Sequence, residues 1–229
     1  MPTLHLIPSP ISKLIELPAF VEELRWIIVE NLREARRFLR ANFSSFPIDE
    51  CHFLEINKNT LNLNDISRFL KKAQEKNQDI GLLSDAGVPC VADPGSEVVR
   101  IAHQLGFKVH PLIGPSSILL ALMASGFNGQ QFAFHGYLPI PENEQINRIM
   151  HLEAESSKRT MTQIFIETPY RNNALLERLL KTLNPSTRLC VAADIQSATE
   201  EIVSKTVRDW QHVKYNFHKR PAVFLLYAG

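Results

Sequence analysis

The 229-residue sequence has few cysteines and no long apolar run. Its three cysteines, Cys51, Cys90 and Cys190, are odd in number and far apart. They offer neither a disulfide framework nor a paired Cys-X-X-Cys metal site, and we expect no metal and a reducing, cytoplasmic location. No window approaches the ~20 apolar residues of a membrane span, and no basic stretch precedes an apolar run at the N-terminus. We therefore predict neither a transmembrane helix nor an export signal.

An excess of charge of either sign is also missing. Lys and Arg total 25 and Asp and Glu total 24, which gives a net charge of +1. Any nucleic-acid surface must therefore be a local patch. The motifs GxGxxG, GxxxxGK[ST] and GxSxG are absent, which argues against the common dinucleotide, nucleoside-triphosphate and hydrolase sites. The apolar content of 45% with 21% charged residues is typical of a folded globular chain.

Short apolar runs bounded by Gly and Pro alternate with segments of helical period, and this pattern predicts an α/β protein. A proline-punctuated polar stretch at residues 138–144 suggests a boundary between an N-terminal α/β domain, 1–138, and a C-terminal α/β domain, 139–229. The predicted strands are 4–7, 26–29, 80–84, 109–113, 132–137, 163–167, 188–193, 202–207 and 222–227. The predicted helices are 31–42, 65–75, 96–105, 118–124 and 173–183.

In the second half, several connections are too short for parallel crossovers, so we expect a mixed sheet there. Lys158 and Arg159 are expected in a solvent-facing loop. Residues 214–220 are basic and aromatic, and we interpret them as an exposed hairpin before the last strand, although RNA contact is a second interpretation.

The predicted helix 31–42 is basic and amphipathic. An apolar stripe at i, i+3 and i+7 is formed by Leu32, Ala35 and Leu39. The other positions carry Arg33, Arg36, Arg37 and Arg40. Two interpretations stay open: a solvated helix face, or a contact surface for phosphates or an acidic partner.

Turn-rich segments follow three predicted strands, at residues 8–12, 84–96 and 114–117. Open α/β sheets bind ligands at the carboxyl ends of their strands, where the Asp85 carboxylate could hold a ligand hydroxyl or amino group. The Gly-Pro-Ser-Ser segment at 114–117 precedes a helix, whose free N–H groups suit an acceptor, although simple N-capping also explains the serines. Together these segments predict a shared ligand cleft.

Five ordered motifs carry a family resemblance: Leu-Leu-Ser-Asp-Ala-Gly-Val-Pro at 82–89 with Asp-Pro-Gly at 93–95, Gly-Pro-Ser-Ser at 114–117, His-Gly-Tyr-Leu-Pro at 135–139, Phe-Ile-Glu-Thr-Pro-Tyr-Arg at 165–171 and Arg-Pro-Ala-Val at 220–223. With these motifs the chain resembles the tetrapyrrole methylase superfamily of S-adenosylmethionine-dependent methyltransferases. Within it, the chain is most similar to the branch that methylates a ribose 2'-hydroxyl of a cytidine in small-subunit ribosomal RNA.

The resemblance implies two α/β domains with a ligand cleft between them, S-adenosyl-L-methionine as the methyl donor, ribosomal RNA as the partner and a homodimer. It also implies a set of donor-binding positions. These are Pro10, Ile11, Asp85, Val88, Ser117, Ile118, Thr168, Ala193, Pro221 and Ala222.

Methyl transfer to a hydroxyl requires alignment and benefits from a base. The candidates are Glu30, Asp93 and Glu167, of which Glu30 and Glu167 are the predicted catalytic residues. The chain departs from the branch at 9–13, at 30–33 and at 55–60, all on the acceptor side. Two alternatives therefore stay open: a methylase of a small tetrapyrrole-like molecule, and a donor-binding protein without turnover. His135 is interpreted as a structural histidine.

Overall fold

A computed structural model describes residues 1–12, 15–56 and 62–229. Lys13 and positions 57–60 of the acceptor-side segments named above lie outside the described residues. The chain forms two compact units, Met1–Ser116 and Ser117–Gly229.

The first unit contains a five-stranded sheet in the order β3-β2-β4-β1-β5. Its strands are β1 (Thr3–Ile7), β2 (Trp26–Val29), β3 (His52–Glu55), β4 (Ile80–Leu83) and β5 (Lys108–Pro111). Its α-helices are α1 (Leu32–Asn42), α2 (Leu63–Glu75) and α3 (Gly95–Gln104), and two 3-10 helices span Ala19–Glu23 and Ile48–Glu50. All neighbouring strands are parallel, so their carboxyl ends share one edge of the sheet.

Helices cover both faces of this sheet, as expected for parallel strands that are buried on both sides. On one face, Ile66 and Leu70 of α2 and Val98 of α3 pack against the strands. On the other face, Phe38 and Leu39 of α1 do so. This packing holds the strand ends, and the loops that follow them, in fixed positions.

The second unit contains a sheet in the order β6-β7-β10-β8-β9. Its elements are α4 (Ser117–Ser125), β6 (Phe132–Tyr137), α5 (Glu142–Arg159), β7 (Thr162–Ile166), α6 (Asn172–Thr182), β8 (Arg188–Ala193), β9 (Glu201–Thr206), α7 (Val207–Trp210) and β10 (Ala222–Tyr227). The sheet is mixed, because β6 and β7 are parallel while the other pairs are antiparallel. Its core includes Phe165, Phe217 and Trp210, whose indole N–H donates to the Leu189 carbonyl at 2.8 Å.

The division between the units lies at Ser116/Ser117, before the boundary that the proline-rich segment suggested after residue 138. The physical reason is strand pairing: β6 hydrogen-bonds to β7, and α4 packs on β10, so both belong with the second sheet. The proline-rich segment is the short connection between β6 and α5.

Two local predictions are wrong. Lys158 and Arg159 are exposed as predicted, but they lie in the last turn of α5 and not in a loop. There, cations favourably face the negative end of the helix dipole. Residues 214–220 contain no strand and form no hairpin. Instead, Phe217 is buried, and its N–H donates to the Asn173 side chain at 2.8 Å, which fastens the segment to α6.

No helix within residues 1–12, 15–56 and 62–229 has both the length and the apolar character needed to cross a bilayer. The three cysteines are free thiols. Burial raises the pKa of both Cys90 and Cys190 to about 12, which makes these two thiols poor nucleophiles at neutral pH.

Candidate functional site

The loops after β1 and β4 are joined at the carboxyl edge of the first sheet. The Ser9 N–H donates to the Gly87 carbonyl at 2.8 Å, and the Gly87 N–H donates back to the Ser9 carbonyl at 3.0 Å. The Ser9 hydroxyl also donates to the Ser84 carbonyl at 2.7 Å. The two loops therefore form one braced structure beside the strand ends.

Glycine is required at two positions of this edge. Gly87 has a φ of +73°, a left-handed conformation that side chains disfavour. Gly114, in the loop after β5, packs directly on Pro8, and a Cβ at Gly114 would lie 2.1 Å from the Pro8 Cβ and 2.5 Å from its Cγ. The loops after β1 and β5 can approach this closely only because residue 114 has no side chain.

We expect Gly114→Ala to lower the free energy of unfolding by roughly 1–3 kcal/mol, the usual cost of overpacking, because the rigid Pro8 ring cannot rotate away. Urea unfolding followed by circular dichroism measures this. Gly129→Ala is the matched control, since nothing lies within 4 Å of a Cβ built there. Equal stability of the two variants would contradict the close packing of the two loops.

Asp85 is exposed at this edge, and its backbone N–H donates to Glu30 Oε2 at 3.2 Å. The pKa of the Asp85 carboxyl is raised, mainly by partial burial of the group and further by the carboxylates of Glu34 and Glu55. A hydrogen bond from the Asn31 backbone N–H acts in the opposite direction. The edge therefore presents a carboxylate that would gain from hydrogen-bond donors on a ligand.

A cavity of about 360 Å³ opens beside Asp85, within the size range of small-molecule sites. Loop residues and one side of α1 line it together. The loop residues are Ser9, Pro10, Ser12, Ser84 and Asp85, and the helix residues are Glu34, Ala35, Arg37, Phe38 and Ala41.

The remaining first-unit candidates differ in their surroundings. Ile11 lies against Gly87, with its Cγ2 3.5 Å from where a Cβ at Gly87 would be, and Val88 is half-buried in the same loop. Asp93 accepts the N–H of Cys90 at 2.8 Å and that of Gly95 at 2.6 Å with its two carboxylate oxygens. Burial raises the pKa of the Asp93 carboxyl, and these two hydrogen bonds act in the opposite direction. Because they engage both oxygens, Asp93 braces the loop.

The second sheet also brings predicted residues to one edge. Ala193 at the end of β8 pairs with Ala222 at the start of β10, and Ile166 at the end of β7 pairs with Val223. Glu167, Thr168 and Pro221 flank these strand ends. Ser117 and Ile118 form the first turn of α4, which packs on strands of the same sheet.

Glu167 is buried and already engaged. Its Oε1 accepts the Thr168 N–H at 2.6 Å and an Arg171 side-chain N–H at 2.6 Å. The hydrogen bond between Arg171 and Glu167 is the main reason that the pKa of Arg171 is raised. Both hydrogen bonds hold the Glu167 carboxylate in the turn after β7. Among the described residues, no three His, Cys, Asp or Glu side chains are grouped so as to hold a metal ion.

Residues 21–211 match the family described as Tetrapyrrole (Corrin/Porphyrin) Methylases. The chain belongs to this family. As a tetrapyrrole methylase it is a methyltransferase, and the predicted family membership is confirmed.

This tetrapyrrole methylase is 30% identical over 214 residues to a protein of Pasteurella multocida named "Ribosomal RNA small subunit methyltransferase I", covering 90% of this chain and 72% of that protein. Its fold is similar to the crystal structure of the methyltransferase CobJ, with a TM-score of 0.63, 17% identity and coverage of 98% and 92%. It is also similar to uroporphyrin-III C-methyltransferase from Thermus thermophilus complexed with S-adenyl homocysteine, with a TM-score of 0.56, 16% identity and coverage of 98% and 97%. The predicted α/β fold of this family is therefore confirmed.

One residue that sequence analysis missed organises the second edge of this tetrapyrrole methylase. The Arg220 guanidinium donates to Asp194 at 2.6 Å, to Glu201 at 2.6 Å and to the Thr199 carbonyl at 2.7 Å. It thus joins the end of β8 to the start of β9, next to Pro221. The motif at 220–223 contained this arginine, but its sequence indicated only the last strand.

His135 of this tetrapyrrole methylase is engaged on both ring nitrogens. Arg148 can only donate, so His135 Nδ1 accepts from it at 3.0 Å. The proton must then be on Nε2, which donates to Gln163 Oε1 at 2.5 Å. His135 is therefore a structural histidine in this arrangement, in agreement with the sequence interpretation.

Proposed function

We propose that this protein is an S-adenosyl-L-methionine-dependent methyltransferase that methylates a ribose 2'-hydroxyl of small-subunit ribosomal RNA. The observation that carries the proposal is the 30% identity over 90% of the chain to a relative named for ribosomal RNA small subunit methylation. Its identity to the methyltransferase CobJ and to uroporphyrin-III C-methyltransferase is lower, at 16–17%. A small tetrapyrrole-like acceptor is therefore the less supported alternative.

We propose ten residues as donor-binding, at the two sheet edges and in the first turn of α4. Pro10, Ile11, Asp85 and Val88 belong to the first unit, and Ser117, Ile118, Thr168, Ala193, Pro221 and Ala222 belong to the second. The methyl donor supplies an electrophilic methyl group on a positively charged sulfur. The residues present fit such a group, because an exposed carboxylate and a cavity of about 360 Å³ lie together at the first edge. Asp85 is placed there to accept hydrogen bonds from hydroxyl or amino groups.

We propose Glu30 as the base that takes the proton of the acceptor hydroxyl. Glu30 follows β2 at the carboxyl edge of the first sheet, and its Oε2 is 3.2 Å from the Asp85 backbone nitrogen. Glu167 is buried and is held by Arg171 and the Thr168 N–H. We therefore assign Glu167 a positioning role in the turn after β7.

Titration calorimetry with S-adenosyl-L-methionine tests the donor assignment. We expect micromolar affinity, about −8 kcal/mol, and a loss of about 10- to 100-fold in Asp85→Ala, because a hydrogen bond to a charged group contributes about 1.5–3 kcal/mol. Asp49→Ala removes an exposed carboxylate elsewhere and should bind normally. No heat with the wild type would contradict the donor, and equal affinity in both variants would contradict the role of Asp85.

The acceptor is tested with labelled methyl donor and small ribosomal subunits from a strain lacking this protein. Methylation of their ribosomal RNA supports the proposal, and rates should fall steeply with salt because phosphate contacts release counterions. Transfer only to a tetrapyrrole, with little salt dependence, would support the first alternative. Donor binding without turnover on any acceptor would support the second.

We further propose that the protein works in the cytoplasm and as a homodimer. Large apolar side chains at its surface support self-association, among them Met123 of α4 at 78% exposure and Ile140 at 67%. Sedimentation of the purified chain measures its oligomeric state, and a monomer at micromolar concentration would contradict the homodimer.

A further inference from the structure

Helix α1 presents an arginine face, formed by Arg33, Arg36, Arg37 and Arg40. Its opposite side is fixed in the core by Ala35, Phe38 and Leu39, so the four arginines are held outward, and all four are exposed. The helix begins at an Asn31 cap, whose side chain accepts the N–H groups of Arg33 and Glu34. The arginine face is thus a rigid surface.

Neighbouring residues neutralise only part of this face. Arg37 pairs with Glu34 at 2.5 Å, and the Arg36 guanidinium lies 5.3 Å from the centre of the Phe53 ring. Within residues 1–12, 15–56 and 62–229, Arg33 and Arg40 form no ion pair. The face therefore holds a strong local positive charge on a chain whose net charge is only +1.

The spacing of the arginines costs the helix stability. Positions 33 and 36, 33 and 37, 36 and 40, and 37 and 40 are like-charged neighbours at i,i+3 or i,i+4. Like charges at this spacing repel each other and destabilise a helix. A bound anion would remove this repulsion, which favours a contact surface over a solvated face.

The arginine face borders the candidate site. A shallow cavity of about 620 Å³ is lined by all four arginines, with Asn31, Leu32 and Glu55. Arg37 also lines the cavity that contains Ser9 and Asp85. Arg33 and Arg40 are two helical turns apart, about 10.5 Å along the axis, so together they can contact separate groups of an extended ligand.

We infer that the arginine face binds the phosphodiester backbone of the acceptor RNA strand, with Arg33 and Arg40 as the main phosphate contacts and Arg37 nearest the site. This inference rests on the proposed function. The planar guanidinium donates two parallel hydrogen bonds to a phosphate and keeps its charge at every relevant pH. A repeating anion matches a row of such groups, and each contact adds affinity that salt weakens.

The test compares Arg33→Gln/Arg40→Gln with the wild type and with Lys71→Gln/Lys72→Gln, which removes the same charge from the exposed side of α2. Binding of fluorescent polyuridylate is measured over a potassium chloride series, and methylation of small ribosomal subunits is measured in parallel. We expect the arginine variant to bind at least tenfold more weakly at low salt. Its plot of log affinity against log salt should be less steep by about 1.4, because each of the two lost phosphate contacts accounts for about 0.7 of the slope.

The arginine variant should also show a raised KM for subunits at unchanged kcat, since the contact lies outside the reacting atoms. Its affinity for S-adenosyl-L-methionine and its circular dichroism should match the wild type, which excludes misfolding.

A salt slope equal to that of the wild type, with subunit methylation intact, would overturn this inference alone. If the wild type methylates no subunits but the slope falls as expected, the proposed function fails and the phosphate contact stands. A slope lowered equally by the α2 variant would show a general charge effect and overturn the assignment to α1.

Discussion

Glu30→Gln is expected to lower kcat by about 10²- to 10⁴-fold, the usual contribution of a positioned base. Glutamine keeps an oxygen that can accept the Asp85 N–H, so the hydrogen bond at 3.2 Å and the loop after β4 should survive. What is lost is the capacity to take a proton. The affinity for S-adenosyl-L-methionine should therefore stay within about twofold of the wild type.

The matched variant is Glu167→Gln. Its oxygen can still accept from Thr168 and Arg171, and the carboxylate it replaces is already engaged in an ion pair. We expect kcat to fall less than tenfold. Single-turnover measurements at several pH values compare both variants with the wild type. If both variants keep wild-type turnover at every pH, neither carboxylate is the base.

Several strands could be predicted from sequence because burial on both faces of a sheet produces continuous apolar runs. The runs at 26–29, 188–193 and 222–227 coincide with β2, β8 and β10, which are almost entirely buried. The run at 132–137 also coincides with β6, although β6 is an edge strand with exposed ends. Two elements gave no such signal. β3 is a four-residue edge strand with exposed ends, His52 and Glu55, and α5 buries two polar residues, Gln145 and Ser156, beside Ile149 and Leu152. Hydrophobic period alone does not reveal an element whose buried positions are polar.

The candidate site, too, could be predicted from the sequence only in part. Parallel strand ends predict that Asp85, Glu30 and the loop after β1 share an edge, and the structure places them there. The role of each carboxylate depends on the N–H groups that reach it. Asp93 and Glu167 are engaged by backbone and arginine donors that lie close only after the loops fold. The contact of Gly114 with Pro8 likewise depends on the side-by-side placement of β1 and β5.

Arg220→Met is expected to lower the free energy of unfolding of the second unit by about 3 kcal/mol. The Arg220 side chain is 21% exposed, and that of Asp194 is 14% exposed. Removing the guanidinium leaves the Asp194 carboxylate and the Thr199 carbonyl without their shared donor, and Glu201 loses its partner at 2.6 Å. Methionine keeps most of the apolar volume over Phe217, so the loss reports the polar contacts.

The fluorescence of Trp210 allows the stability of the second unit to be measured by itself. Trp210 is fully buried in the second unit, and the only other tryptophan, Trp26, is in the first. Urea unfolding followed by tryptophan fluorescence in a Trp26→Phe background therefore reports the second unit alone. Arg208→Met removes an exposed arginine of α7 and should change stability by less than about 0.5 kcal/mol.

The affinity for S-adenosyl-L-methionine distinguishes a purely structural role of Arg220 from an additional role in binding the methyl donor. The residue precedes Pro221 and Ala222, and the Asp194 N–H donates to the Pro221 carbonyl at 2.9 Å, so loss of the guanidinium should also loosen the proposed donor-binding strand end. We expect Arg220→Met to bind S-adenosyl-L-methionine more weakly, and Arg220→Lys, which restores one charged donor, to recover part of both losses. Lost stability with unchanged donor affinity would limit Arg220 to a structural role. Unchanged stability would contradict the arrangement in which one guanidinium joins three chain segments.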